Sequence, residues 1–403
     1  MKQTTDHLAL PFFDAAHRDL GQRLAAWIPQ QQIDESDDRQ ACKAWVRVLG
    51  EHGWLRYCVP AGPDGALGGA FARLDSRALV IARETLAFHS PLADFAFAMQ
   101  GLGSGAITLA GTAHQQAAYL PSVASGKKIA AFALSEADAG SDVGAIATTA
   151  TATRDGWTLN GSKTWISNGG IADFYVTFAK TDVSAGTHGI SAFIVDAGAP
   201  GLDSSEHIAV ISPHPLATLA FADCKLAASA QLGTLNGGFR LAMQTLDIFR
   251  ASVAGAALGM ARRALAEALS YSRQRRMFGQ TLADFQLTQS KLGDMAALVD
   301  AAALLTYRAA WLRDESERSG PEADPAAQAN GRRARSAAAA MAKMTATENA
   351  QRVIDMALQM HGGLGVKVGT RMESLYRDIR SLRIYEGATE VQQLIIGKAM
   401  LQS

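Results

Sequence analysis

Residues 148–161, TTATATRDGWTLNG, decide the fold class. Thr148 to Arg154 sets β-branched threonines among small residues and ends at Asp155-Gly156. Trp157 to Leu159 follows and ends at Asn160-Gly161. Asp-Gly and Asn-Gly supply the positive φ that tight hairpins need. Two more short runs, 174–178 (FYVTF) and 190–195 (ISAFIV), are rich in β-branched and aromatic residues. Residues 129–235 therefore read as a compact antiparallel β domain, a sandwich or barrel.

On both sides of this stretch the texture is helical. In residues 1–128, Leu74, Leu79, Ile81, Leu86 and Phe88 recur at helical spacing. A Gly/Pro-rich loop, 57–69 (YCVPAGPDGALGG), interrupts this part. After Asn236-Gly237-Gly238, residues 236–403 read as long helices over about 238–274, 284–314 and 326–360, then 371–383 and 389–401. Ser319-Gly320-Pro321 separates the second from the third. Small residues such as Ala337 to Ala340 permit close packing in an antiparallel four-helix bundle. The order is helical domain, β domain, helical bundle: mainly α with a central β domain. Strands and helices do not alternate, which argues against a doubly wound α/β fold.

Composition narrows the partners. Lys+Arg and Asp+Glu both number 38 in 403 residues, so the formal net charge is zero. That gives no electrostatic case for nucleic acid or an anionic membrane. Cys42, Cys58 and Cys224 form no CxxC pair, so neither a disulfide framework nor a zinc ribbon is indicated. The nine histidines lack ligand spacing, so no metal site is expected. The first thirteen residues carry neither a secretory nor a transit pattern, and a cytoplasmic location is the expectation.

Several segments have the residue types of a site, though each alone has a plainer meaning. Segment 132–144 (FALSEADAGSDVG) reads first as a polar loop leaving a strand; its backbone N–H groups and hydroxyls also suit a cofactor or a pantetheine arm. Segment 159–170 (LNGSKTWISNGG) sets Trp165 and Ile166 beside Ser167, either a β-core anchor or a flat wall for a heteroaromatic ring. Segment 273–279 (RQRRMFG) is a solvated basic helix end or a phosphate contact. In 359–365 (QMHGGLG) a helix C-cap explains Gly362. Gly101, Gly103 and Gly105 fall in a helical region, where a helix break is favoured over a dinucleotide turn. Glu386, in 384–392 (IYEGATEVQ), sits in a short interhelical loop and alone reads as a surface carboxylate.

In content, order and spacing these segments together resemble the acyl-CoA dehydrogenase family, from about Leu86 to Leu401. The resemblance implies a helical N-terminal domain, a β domain, a C-terminal four-helix domain and a homotetramer built as a dimer of dimers. It implies FAD, with Phe132, Leu134, Ser135, Trp165 and Ser167 lining the flavin. Arg275, Phe278, Gln286, Gln359, Gly362 and Gly363 would reach the FAD of a neighbouring subunit; Thr389 and Glu390 would lie near the adenine half of FAD. Ser141, Asp247 and Arg250 would contact the CoA arm, and the Glu386-Gly387 turn the thioester. Glu386 would take the proton α to the thioester, and electrons would pass to an electron-transferring flavoprotein. Some members carry the base directly before the arginine matching Arg250; here Phe249 stands there, which leaves Glu386.

Departures surround the acyl-CoA entrance. Ala388 replaces a usual threonine, Ala137 a usual proline, residues 211–219 (ISPHPLATL) a Gly/Arg-rich stretch, and Leu226-Ala227 a Val-Pro. Asp94 falls where dicarboxylyl-CoA dehydrogenases resemble one another in carrying arginine. A free acid there would repel a distal carboxylate and favour a short, polar or cationic acyl end; a helix cap is the plainer role. Alternatives to the dehydrogenase reading are a desulfinase, a flavin monooxygenase or a non-catalytic flavin-binding scaffold.

Overall fold

The computed structural model describes residues 3–320 and 324–402. Pro321 lies outside them. Helices α1 (Ala15–Trp27), α2 (Asp38–Glu51), α3 (Ser76–His89), α4 (Pro91–Ala110) and α5 (Ala113–Ala124) come first. Strands β1 (Ala130–Ala133), β2 (Thr149–Ala152), β3 (Gly156–Ser167), β4 (Phe174–Lys180), β5 (Ile190–Asp196), β6 (Leu202–His207), β7 (Leu216–Ala227) and β8 (Gln231–Leu232) follow. Then come α6 (Gly238–Gln274), the small hairpin β9 (Arg276–Met277) and β10 (Gln280–Thr281), α7 (Gln286–Ser319), α8 (Pro325–His361), α9 (Arg371–Leu382) and α10 (Thr389–Leu401). The expected helical, β, helical order is the observed one.

The chain divides into two compact units. One comprises Met1–Gln32, Ser76–Asp94 and Arg250–Ser403; the other comprises Ile33–Asp75 and Phe95–Phe249. In the first, α3 packs on α1 and α7, α7 on α8, and α8 on α9 and α10. Small residues permit this closeness: a side chain at Gly255 of α6 would meet Val80 O at 2.7 Å, and one at Gly259 would strike Glu84 O. Among the described residues α7 alone has the length and apolar composition to cross a membrane, and 44% of that window is buried within the structure. Along the whole helix, Lys291, Asp294, Asp300 and Arg308 add charge.

In the second unit the strands form one sheet in the order β6-β7-β3-β2-β4-β5-β8, with β1 also on β4. Most pairings are antiparallel, but β1 and β2 both run parallel to β4. This differs from the all-antiparallel expectation. Each parallel pair is joined through other elements, a connection long enough for such pairing. Asp155-Gly156 does close the β2–β3 hairpin, with Thr153 N–H donating to Gly156 O at 2.8 Å. Asn160-Gly161 does not turn the chain. It is a bulge inside β3, where the register with β7 shifts between Leu159 and Gly161. The Asn160 side chain is occupied across the strands, accepting from Asp223 N–H at 2.8 Å, so the strand continues.

The glycines of α4 do not break it. A side chain at Gly101 would meet the Phe249 ring at 2.7 Å, and one at Gly103 the Ala130 backbone at 2.7 Å. They serve close approach. Phe249 fills that space and is buried at 1% exposure, which accounts for an apolar residue there.

Candidate active site

Glu386 lies in the short turn between α9 and α10, and two backbone features set its direction. Its φ is +53°, in the left-handed region that L-residues with side chains rarely adopt, and Gly387 follows at +91°. Gly387 tolerates this because a side chain there would strike Gln392 Nε2. The Gly387 carbonyl accepts two hydrogen bonds, from Lys343 Nζ of α8 at 2.7 Å and from Gln392 Nε2 of α10 at 2.9 Å. Glu348 of α8 ties both ends of the turn: it accepts from Arg383 Nε at 2.8 Å and from Thr389 Oγ1 at 2.6 Å. Strain at the turn is thus held by side chains from two helices.

The carboxylate itself is left uncommitted. Glu386 Oε2 is buried and has no hydrogen-bond partner among the described residues. Burial raises its pKa above the ordinary carboxylate value; Arg83, Lys343 and Arg250 oppose that rise and Asp94 adds to it. Lys343 is fully buried, and burial lowers its pKa to about 8 against the pull of Glu386.

Arg83 and Asp94 form a buried pair beside this turn. Arg83 Nε donates to Asp94 Oδ1 at 2.8 Å and Nη2 to Oδ2 at 3.0 Å, while Nη1 donates to Ser252 Oγ of α6 at 3.0 Å. Tyr385, next to Glu386, lies within reach of the Arg83 guanidinium, which opposes the burial-driven rise of the Tyr385 pKa. Arg83 and Asp94 are each 2% exposed. The expectation that Asp94 presents a free acid does not hold: a bidentate guanidinium neutralises it. Arg83, Tyr385, Lys343, Glu348 and Gln392 were not singled out from the sequence for the site. The available signal was charge set in apolar or small-residue helix, as with Lys343 after Ala337 to Ala342.

Arg250 is buried on α6, one turn from the half-buried Asp247. Thr389 donates its hydroxyl proton to Glu348, and Glu390 is exposed. Arg275, Phe278, Gln286, Gln359, Gly362 and Gly363 are all exposed positions of the same unit. Phe278 is 87% exposed and at φ +50°, in the turn of the β9–β10 hairpin. Gly362 caps α8 at φ +58°.

The other unit holds the remaining predicted residues. β3 bulges against β7 between Lys163 and Ile166, and Trp165 within that bulge has φ +59° and 56% exposure. Trp165 is therefore not a core anchor. Ile166 faces the core at 1% exposure, so the two do not share one apolar spot. Ser167 and Ser135 are half-buried, Leu134 is buried, and Phe132 packs against Phe178 with ring centroids 5.0 Å apart. Ser141 is exposed. An exposed tryptophan ring in strained backbone, on the strand that also carries Ser167, fits a flat heteroaromatic cofactor better than it fits a folding role.

A buried carboxylate oxygen with no partner among the described residues, held in a left-handed turn and under the charge of three cations, is what a carbon-acid base requires. The chain belongs to the acyl-CoA dehydrogenase family. The descriptions "Acyl-CoA dehydrogenase, N-terminal domain", "middle domain" and "C-terminal domain" match residues 15–127, 131–224 and 236–401. The short-chain specific acyl-CoA dehydrogenase of Homo sapiens mitochondria is 39% identical over 89% of this chain and 83% of its own. The caffeyl-CoA reductase-Etf complex subunit CarC of Acetobacterium woodii is 38% identical over 84% of this chain and 85% of its own. The crystal structure of an acyl-CoA dehydrogenase complexed with FAD from Bacillus anthracis superposes with a TM-score of 0.87 at 30% identity, covering 97% of this chain and 67% of that one. The chain is an oxidoreductase of an FAD-dependent family.

Proposed function

We propose that the protein oxidises an acyl-CoA thioester to its trans-2-enoyl-CoA, with Glu386 as the base. The observation that carries this reading is the unpartnered, buried Oε2 in a left-handed turn. A carboxylate is a weak base for a C–H bond, and burial strengthens it. Its lone pair is spent on no hydrogen bond, so it is available to the α proton. Lys343 and Gln392 fix the Gly387 carbonyl, so the preceding peptides hold one orientation; in it the Glu386 N–H would donate to the thioester oxygen and acidify the α carbon. As the α C–H bond breaks, the proton goes to Glu386 and its electrons form the double bond. FAD, when bound, would supply the acceptor for the hydride that leaves the β carbon. Phe132, Leu134, Ser135, Trp165 and Ser167 would hold the flavin, with Thr389 and Glu390 near its adenine half. Arg275, Phe278, Gln286, Gln359, Gly362 and Gly363 would reach a neighbouring subunit's FAD in a homotetramer. Their exposure supports contacts outside the single chain. Ser141, Asp247 and Arg250 would take the CoA arm, and an electron-transferring flavoprotein would take the electrons.

The relative from Acetobacterium woodii supports a second direction. By microscopic reversibility the same carboxyl, protonated, would return the proton to the α carbon of an enoyl thioester. One experiment tests both. Purified yellow protein is mixed anaerobically with a panel of acyl-CoAs, and the dithionite-reduced protein with the matching enoyl-CoAs. Bleaching in the first arm, abolished in Glu386→Gln with colour retained, is the expected result. Reoxidation alone assigns the reductive direction. Colourless protein, or bleaching indifferent to Glu386→Gln, overturns the assignment.

A further inference from the structure

Arg83 is a costly residue to bury, and the structure surrounds it with partners from three elements. Asp94 of α4 takes two of its N–H groups and Ser252 of α6 a third, and Tyr385, next to Glu386, lies within its electrostatic reach. Such a site could have held an apolar side chain with less desolvation. The charges facing Glu386 come from four helices: Arg83 on α3, Asp94 on α4, Arg250 on α6 and Lys343 on α8, with the Tyr385 hydroxyl from its own turn. Three of these helices bring cations and α4 brings an anion, while the Glu348 carboxylate of α8 is held by Arg383 and Thr389 at the ends of the turn.

We propose that Arg83 and Asp94 are a charge-compensated positioning pair for the base: the guanidinium holds the catalytic turn through Tyr385, and the carboxylate cancels the charge that would otherwise bind Glu386 too tightly to its ionised form. This rests on Glu386 being the base. An uncompensated Arg83 would stabilise the carboxylate and make it a poorer proton acceptor. An apolar residue in place of Arg83 would leave the base proton-bound over more of the working pH range and would release Tyr385.

The pair predicts opposite and non-additive responses. In Asp94→Asn the acid limb of the pH dependence of flavin reduction moves down by about one pH unit, the scale of a nearby opposite charge. In Arg83→Met it moves up by a similar amount, because Asp94 left alone in a buried site protonates. The double variant R83M/D94N matches Arg83→Met, since the Asp94 change matters only while Arg83 is charged. Ser252→Ala, which removes a contact but no charge, leaves the limb in place. Infrared difference spectroscopy follows the protonation of Glu386 directly, assigned by loss of its carboxyl band in Glu386→Gln. Limbs that stay put in both single variants, or move the same way, overturn the proposal. If Asp94→Asn does not fold, an unmoved or lowered limb in Arg83→Met overturns it alone. Wild-type protein that no acyl-CoA bleaches defeats the reading of Glu386 as base, while the infrared titration still decides whether the pair sets its protonation.

Discussion

Glu136 and Glu386 make an instructive pair. Both glutamates sit in turns, one in each unit, and burial pushes both carboxyls up. Glu136 is answered in full. Ala147 N–H and Thr148 N–H donate to it at 2.6 and 3.0 Å, and the fully buried Lys163 bonds it at 2.7 Å. These partners outweigh burial and bring its pKa below the ordinary value. Glu386 keeps one oxygen without a partner among the described residues, and its cations act at a distance, so burial wins and its pKa stays high. Burial is common to both; the number of donors in contact separates a structural carboxylate from the one proposed as the base.

The largest expected effect is on turnover. Glu386→Gln lowers the rate of flavin reduction by about 10²–10⁴-fold, the range of a general base. Glu136→Gln, measured on folded protein by the same stopped-flow assay, stays within about tenfold of wild type, since its carboxylate is engaged in support. Equal losses in the two variants would break the distinction.

Stability is expected to move the opposite way. Breaking the Lys163–Glu136 pair by Glu136→Gln strands a buried ammonium and costs about 3–5 kcal/mol. Glu386→Gln removes a buried carboxylate whose raised pKa records a cost of ionisation, so its melting temperature rises at neutral pH. The pH signs follow from linkage. Glu136 has a folded pKa below its unfolded one, so its contribution is present above the unfolded value and is lost as pH falls through the folded value. Glu386 has a folded pKa above its unfolded one, so its ionisation destabilises as pH rises through the folded value, and protonation below it relieves the cost. Thermal melts of both variants against pH check this: the Glu136→Gln difference shrinks in acid, and the Glu386→Gln gain shrinks there too. A gain for Glu386→Gln that grew in acid would contradict the assignment.

How much of this was legible in the residues differs between the two places. Helix limits such as Gly238–Gln274 and Thr389–Leu401 follow from periodicity and glycine punctuation, which are local. The Glu386 turn was visible because an interhelical loop shows in one dimension. Its supports were not, since Lys343 lies 44 residues from the carbonyl it bonds. Asn160-Gly161 misled because a turn dipeptide states only that positive φ is available; the partner at Asp223 decides whether the chain turns or bulges. Asp94 misled for a related reason: a carboxylate's sign is readable, but whether Arg83 cancels it is not.

The smallest expected effect on stability comes from Lys343, and its comparison with Lys163 sharpens the contrast most. Lys163 and Lys343 are each fully buried, with pKa values lowered by burial to about 8. Lys163 contacts a carboxylate, whereas Lys343 contacts the Gly387 carbonyl, which Gln392 also serves. Lys163→Met therefore strands an ion and should approach the cost of Glu136→Gln. Lys343→Met removes one of two donors to a neutral acceptor, so about 1 kcal/mol is the expected loss in a denaturant melt. Its consequence lies in chemistry. With that cation gone, Glu386 loses one of the charges opposing its proton, and the acid limb of flavin reduction moves up. The Gly387 carbonyl is then held by Gln392 alone, so kcat falls by about tenfold while KM for the thioester changes less. Lys343→Arg, which keeps charge and donor, restores the limb. A Lys343→Met protein as unstable as Lys163→Met, with its limb unmoved, would make the two lysines equivalent structural residues and would remove Lys343 from the support of the base.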